Sequence, residues 1–296
     1  MKRNLLWDFA FSLPCFLAFL LVILCPFFLG AWYSFTDWNG INYTVNFVGW
    51  ANYRNIFSSP QFLFSLYQTL LYALLDVVFI HVVAFGLALL VTSRVRLRNV
   101  YRAGFFLPNL IGGIVLGFIW QFMYKDFFTA IGKLLDIPGM KTSLISSAST
   151  VVLGMSLATT WQYAGYIMLI FVAAIQGVPQ EVLESAAVDG AGAFTRVRKI
   201  LIPMMRNAFT ISLFLVITTS FKQFEKNLTL TNGGPATRFL GKVVQGGSLV
   251  PLTIYNESVS ANNLSKGQAM SVVFFLVLVL FSLMQVVVSK RKEVEQ

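Results

Sequence analysis

Charge is what this sequence has least of. Acidic and basic residues make up 11% of its 296 residues, against roughly 25% in an ordinary soluble domain. Hydrophobic residues make up 57% and the mean hydropathy is +0.73, so the chain reads as an integral membrane protein. Histidine occurs once, at His81, and cysteine twice, at Cys15 and Cys25. The two thiols fall on one predicted helix, about 15 Å apart by rise per residue, too far to bridge. No set of His, Cys, Asp and Glu has metal-ligand spacing, so no metal site is expected. A phosphate loop of the form G-x-x-x-x-G-K-[S/T] is also lacking: "GKL" at Gly132 and "GKV" at Gly241 have no hydroxyl residue. The chain is therefore expected to hold no cofactor and no catalytic site. The formal charge of +10 needs no nucleic-acid partner, because bases at the ends of membrane spans explain it.

Long apolar runs are what the sequence has in plenty. Stretches able to cross about 30 Å of hydrocarbon fall at 10–33, 68–92, 104–124, 150–175, 208–228 and 267–289. The first ends in aromatics and has no small-residue cleavage site, so it reads as an uncleaved span. Pro108, Gly112, Gly113 and Gly117 interrupt the third, and Lys222 and Glu225 the fifth. Continuous runs call for helices, since a barrel would show short alternating segments. The expected fold is all-α, one transmembrane domain of six helices over residues 1–296. No internal repeat is evident, and 34–67, 125–149 and 229–266 carry the signals of ordered loops.

Lys and Arg set the expected orientation. One side gathers Lys2, Arg3, Arg94, Arg96, Arg98, Arg102, Arg196, Arg198, Lys199, Arg206, Lys290, Arg291 and Lys292 in short segments. The other nine bases are spread over longer ones. The dense side is expected to be cytoplasmic, which puts both termini inside.

The loop between the fourth and fifth spans, about 178–206, departs from this composition. It reads "PQEVLESAAVDGAGAFTRVRKILIP" from Pro179 to Pro203. Pro179, Glu181 and Glu184 suit a helix start, and Gly190 suits a C-cap. A second helix is expected from about Ala193, with Pro203 near the start of the next span. Leu183, Ala186, Ala187 and Gly190 would share a mostly small face that allows another surface to approach closely. A helix lying on the membrane surface would carry larger apolar residues, so a protein partner fits better.

"ESAAVDGAGAFTRVRKILIP" resembles the cytoplasmic Glu-Ala-Ala signature of ABC-importer permease subunits, with Glu184, Ala186, Gly190, Ile200 and Pro203 on motif positions. Asp189 precedes the glycine as in the sugar-type members. Ser185 stands where the signature has alanine and Ile202 where it has leucine. "SFTDWNG", "FVGWANYRNIF", "YRAGFFLPNLIGGIVLGFIWQF" and "LTLTNGGP" are similar to the maltose-type carbohydrate permeases. The resemblance implies a coupling helix over Glu184, Ser185, Ala186, Asp189 and Gly190, docked on an ATP-hydrolysing subunit. It implies a heterodimer with a second permease subunit, two ATP-binding subunits holding ATP and magnesium, and an extracellular or periplasmic solute-binding protein. The setting would be a bacterial cytoplasmic (inner) membrane, and the cargo a carbohydrate. By the same register Lys222 and Gln223 fall where the relatives line the sugar site with amides, and Phe221 and Phe224 fall on flanking aromatics. With Glu225 these form the expected substrate pathway; a uronate, a phosphorylated ligand such as a glycerol phosphate and a polyhydroxylated ligand all fit it. Lys222 and Glu225, three apart, could also pair on one helix face. Thr231, Gly233, Gly234 and Pro235 fall on the element near the binding protein.

Other polar residues inside spans, Asp76, His81, Gln121 and Gln162, are costly in lipid. Asp76 and His81 read as interhelical hydrogen-bond partners, and Gln121 and Gln162 as helix contacts or cavity liners. The rival to an ATP-driven importer is an ion-gradient-driven secondary transporter. Against that rival stand the single deep carboxylate, Asp76, and the lack of an inverted repeat. A non-transporting membrane scaffold would leave Lys222 and Glu225 without a reason.

Overall fold

A computed structural model describes the backbone of residues 5–293 other than 43 and 94, and side chains within 11–287. Lys2, Arg3 and Arg94, and the side chains of Lys290, Arg291 and Lys292, which enter the charge asymmetry, lie outside the described residues. The elements in order are α1 (Phe11–Tyr33), α2 (Ala51–Phe57), α3 (Pro60–Thr92), α4 (Arg98–Phe106), α5 (Gly113–Leu134), α6 (Val151–Gln176), α7 (Gln180–Val188), α8 (Ala193–Met204), α9 (Arg206–Phe221) and α10 (Glu225–Thr231). The strands β1 (Ala236–Phe239) and β2 (Lys242–Gln245), then α11 (Val250–Tyr255) and α12 (Leu264–Glu293), complete the chain. Among the described residues α1, α3, α5, α6 and α12 are long and apolar enough to cross a membrane. The pair α8 and α9, bent by 72°, makes a sixth if it counts as one span.

The expected third span, 104–124, is corrected. α4 stops at Phe106, a tight turn carries Leu107–Leu110 with Pro108 at its start, and Ile111 and Gly112 are extended. Proline supplies no N–H to continue the helix, so the crossing helix begins at Gly113 and runs on to Leu134. The expected fifth span, 208–228, ends early: α9 stops at Phe221 and α10 starts at Glu225. The antiparallel hairpin of β1 and β2, with Ala236 opposite Gln245, lies in the segment 229–266 and adds a small sheet to the otherwise helical fold.

Two prolines inside apolar helices are accommodated alike. A five-residue π turn at Leu20–Leu24 precedes Pro26, and another at Val197–Leu201 precedes Pro203. In each, the next N–H bonds five residues back, Cys25 to Leu20 and Ile202 to Val197. The wider turn makes room for a ring that would otherwise strike the preceding carbonyl.

The chain forms two compact units, residues 1–62 with 254–276 and residues 63–253 with 277–296. In the first, the motif stretches after α1 are tied together by polar side chains. Asn52 Nδ2 donates to the carbonyls of Ser34 and Thr36 at 2.9 and 2.7 Å, and Thr36 and Ser265 hydroxyls meet at 2.9 Å. Asp37 accepts from the Asn46 side chain and backbone, which together hold its carboxyl below the usual carboxylate range. Phe35 and Trp50 pack edge to face beside this loop, and the Tyr53 ring lies tilted against both.

In the second unit α3 lays Ile80, Ala84, Ala88 and Val91 at helical spacing against Ala164, Met168 and Phe171 of α6. Glycine sets two close approaches. A Cβ on Gly165 would stand 1.8 Å from the Phe105 carbonyl oxygen, and one on Gly117 would stand 1.7 Å from Thr229 Oγ1. Gly113 and Gly117 form a small-x-x-x-small face on α5, and α10 lies on it. Gly86, by contrast, is exposed with open space around it. Because backbone cannot move aside as a flexible side chain can, Gly165→Ala is expected to cost about 1–3 kcal/mol and to lower the Tm of the protein in detergent. Gly86→Ala should leave the Tm unchanged or slightly raised.

Candidate functional site

The break between α9 and α10 opens a cavity of about 360 Å³. Lys222 caps α9, its N–H reaching back to the carbonyls of Thr218 and Ser220, and Gln223 and Phe224 are non-helical. Lys222, Gln223, Phe224 and Glu225 line the cavity from this break; Thr219, Lys226, Gly113, Gln162 and Tyr163 complete the wall. Four of the five expected pathway residues are thus brought together. The fifth is corrected: Phe221 is 2% exposed and packs its ring 5.6 Å from that of Phe281, away from the cavity lining. The pairing of Lys222 with Glu225 on one helix face is corrected as well, since the helix ends between them. Glu225 instead lies over Gly113, where a Cβ would come within 2.4 Å of its carboxylate.

Behind the lining sits a buried polar network. Asp76, fully buried on α3, accepts from Ser156 of α6 at 2.6 Å and Ser220 of α9 at 2.7 Å. Lys226, 4% exposed, donates to Thr159 Oγ1 at 2.7 Å and Gln162 Oε1 at 2.9 Å, with its ammonium 5.1 Å from the Tyr163 ring centroid. The Tyr72 hydroxyl meets that of Thr159 at 2.6 Å. Asp76 and Lys226 are thus buried on either side of Thr159, Gln162 and the serines, and removing one would leave the other without a counter-charge. Asp76 and His81, whose ring meets Ser212 at 3.1 Å, make the interhelical bonds expected of them. Gln121 donates to the carbonyls of Thr229 and Leu230, and Gln162 both joins helices and lines the cavity.

Lys226 and Tyr163 had not been singled out. In the sequence Lys226 counts only as one of the nine bases of the sparser side, although a carboxylate as deep as Asp76 calls for a cation nearby. A second cavity, of about 340 Å³, is lined mostly by apolar and aromatic side chains, among them Trp120, Tyr124, Phe128, Met140, Leu144 and Leu157, with Thr142 and Ser143 as its small polar residues; it has no charged residue in its wall.

The expected coupling residues lie on and just after α7. Glu184 accepts from Gln180 at 2.6 Å, and the Ser185 hydroxyl bonds back to the Glu181 carbonyl at 2.9 Å, so it occupies little more room than alanine. Gly190 is not on the helix face with Leu183, Ala186 and Ala187. It follows the helix with φ +82° and has open space at its Cβ position. Gly190 bonds back to Ala187 and Ala191 to Ala186, a Schellman cap that needs a left-handed residue there. Glycine takes that conformation without strain. α7 exposes Val182 and Val188, the latter 88% exposed, with Phe194 just beyond it.

Thr231 ends α10, and Gly233, Gly234 and Pro235 follow it in a tight turn. Gly233 takes φ +80° and is buried, and a Cβ there would meet Gln245 at 2.6 Å. Gly247 and Gly246 donate to the carbonyls of Gly233 and Pro235, so this element packs on the chain's own loop.

Comparison with known proteins bears on this geometry. The chain is 39% identical, over 99% of its length and 97% of the relative's, to a probable starch degradation products transport system permease protein, AmyD, of Thermoanaerobacterium thermosulfurigenes. It is 26% identical, over 98% of both chains, to the multiple sugar-binding transport system permease protein MsmF of Streptococcus mutans. A crystal structure of a bacterial ABC transporter involved in the import of the acidic polysaccharide alginate contains a chain of the same fold. That chain superposes with a TM-score of 0.79 over 98% of this chain and 99% of its own, at 18% identity. Residues 81–294 match the binding-protein-dependent transport system inner membrane components, and the chain belongs to that family.

Proposed function

We propose that the chain forms half of the translocation pathway of an ATP-driven carbohydrate importer, with the sugar passing through the cavity at the break between α9 and α10. The observation that carries this reading is the lining itself. Two amides, a phenol, a threonine hydroxyl and charges of both signs surround the space, with Phe224 as an apolar face. Hydroxyl groups need donors and acceptors of this kind, and sugar faces stack on aromatic rings. The relatives named as sugar permeases support the same class of cargo.

In this reading there are six spans, α8 and α9 counting as one, and both termini are cytoplasmic. A second permease subunit completes the pathway, and two separate subunits bind and hydrolyse ATP with magnesium. A solute-binding protein delivers the sugar from outside, and α7 docks on an ATPase subunit. The exposed apolar residues Val182 and Val188 of α7 and Phe194 at the start of α8 support a protein partner for this loop.

The test is uptake by the complete complex in proteoliposomes. Uptake should require ATP and the binding protein and should survive an ionophore; uptake that persists without ATP and collapses with the ionophore would sink the proposal. Gln223→Ala, which removes one neutral hydrogen bond, should slow uptake roughly fivefold, and Gln223→Ala with Phe224→Ala should slow it further. Full activity in the double variant would remove the cavity from the path.

A separate prediction concerns α7. Val188→Asp should abolish co-purification with the ATPase subunits while leaving the chain in the membrane. Gly190→Ala, forced into a left-handed conformation that costs about 1–2 kcal/mol, should weaken the same association. An ATPase complex of normal yield from both variants would show that α7 is not the docking element.

A further inference from the structure

The cavity wall depends on a residue that no motif indicates. An ammonium has three N–H donors. Lys226 donates to Thr159 and to Gln162 Oε1 and sets its charge over Tyr163. Gln162 and Tyr163 both face the cavity. The Gln162 amide can sit only one way round. Lys226 requires an acceptor at Oε1, and the Ile111 carbonyl accepts from Nε2 at 2.9 Å. That leaves one N–H and one lone pair of this amide for the cavity. The cation likewise takes up part of the Tyr163 ring and restrains its tilt.

We propose that Lys226 is a positioning residue for the transported sugar: it fixes the Gln162 amide and the Tyr163 ring so that a donor and an aromatic surface are presented together. This rests on the reading of the cavity as the sugar path. A lysine present only to neutralise Asp76 would be replaceable together with that carboxylate, because removing both charges of a buried pair is far less damaging than removing one. A positioning lysine would not be.

The experiment uses the complete complex in proteoliposomes, with labelled maltotriose, trehalose and arabinotriose each presented on the purified binding protein. Sugar taken up and ATP hydrolysed are both measured for every sugar that wild type transports. Asp76→Asn with Lys226→Met should assemble and hydrolyse ATP near the wild-type rate, while sugar moved per ATP falls about fivefold, the weight of one hydrogen bond. Lys226→Arg, which keeps charge and donors, should recover most of that loss. A wild-type ratio of sugar to ATP in the neutral double variant would overturn the proposal. If that variant does not assemble, Gln162→Glu decides the matter. It keeps an acceptor for Lys226 and removes both N–H groups of the amide, the one facing the cavity and the one given to the Ile111 carbonyl, so an unchanged ratio again overturns the proposal. Gln223→Ala with Phe224→Ala is run alongside. If it lowers uptake while the Lys226 variants behave as wild type, only this inference fails. If it leaves uptake intact, the cavity reading fails and takes this inference with it.

Discussion

A helix that stops beside a membrane span leaves carbonyls and N–H groups that water is not there to satisfy. α9 stops at Phe221, and most of the surrounding polar structure answers that constraint. Lys222 and Gln223 turn their N–H groups back onto α9. Gln121 of α5 takes the carbonyls of Thr229 and Leu230 near the far end of α10. Asn227 donates to the Gly247 carbonyl at 2.6 Å and accepts from the Leu249 N–H at 2.9 Å, and Thr69 accepts from Val250 at 2.9 Å. The glycine face of α5 exists so that α10 can come near enough for these bonds. A cavity is what remains where the chain leaves the helix and no side chain fills the gap.

The same break explains why charge is tolerated there. Asp76 and Lys226 are buried, yet each has hydrogen-bond partners and each lies in the field of the other. Breaking such a pair costs several kcal/mol, whereas making it adds little net stability. Its value lies in specifying one arrangement. Asp76 ties α3 to α6 and α9, and Lys226 ties α10 to α6, so four helices share one set of partners. At the rim, Lys222 and Glu225 are exposed, so their charges are available to a ligand instead.

Hydropathy made the spans legible because lipid requires long apolar helices whatever their packing. It failed where the backbone, not the composition, decides. Residues 104–124 are apolar on both sides of Gly112, so the run looks continuous although Pro108 and the extended Ile111 and Gly112 divide it. Beyond Phe122 the helix continues through Lys125 and Asp126, in a π turn at Met123–Phe127, where charge had implied a loop. Lys222, Gln223 and Phe224 were carried to the break by the register of the resemblance, and Glu225 by its charge beside Lys222; all four line the cavity. Phe221 was misplaced because the last residue of a helix points with that helix, into the packing against Phe281. Lys226 went unread because a base near the end of an apolar run looks like one that marks the membrane surface. The one available signal was Asp76, a carboxylate too deep to lack a counter-charge.

On the proposed reading, movement at α7 must reach Lys222 through α8 and α9. That path is made of two helical rods joined at Met205, where the chain bends by 72°. Met205 is 1% exposed and belongs to the same core as Ala88, Met168 and Phe171. A joint seated in a close-packed core does not flex freely, because any change in angle must repack its neighbours. α8 has its own soft point in the π turn before Pro203. Displacement of α7 would therefore be taken up first within α8, and it would reach the cavity only when large enough to switch the packing around Met205. A coupling path built this way favours two discrete arrangements over a continuous drift, and it places the threshold between them at the bend rather than at the docking helix or the sugar.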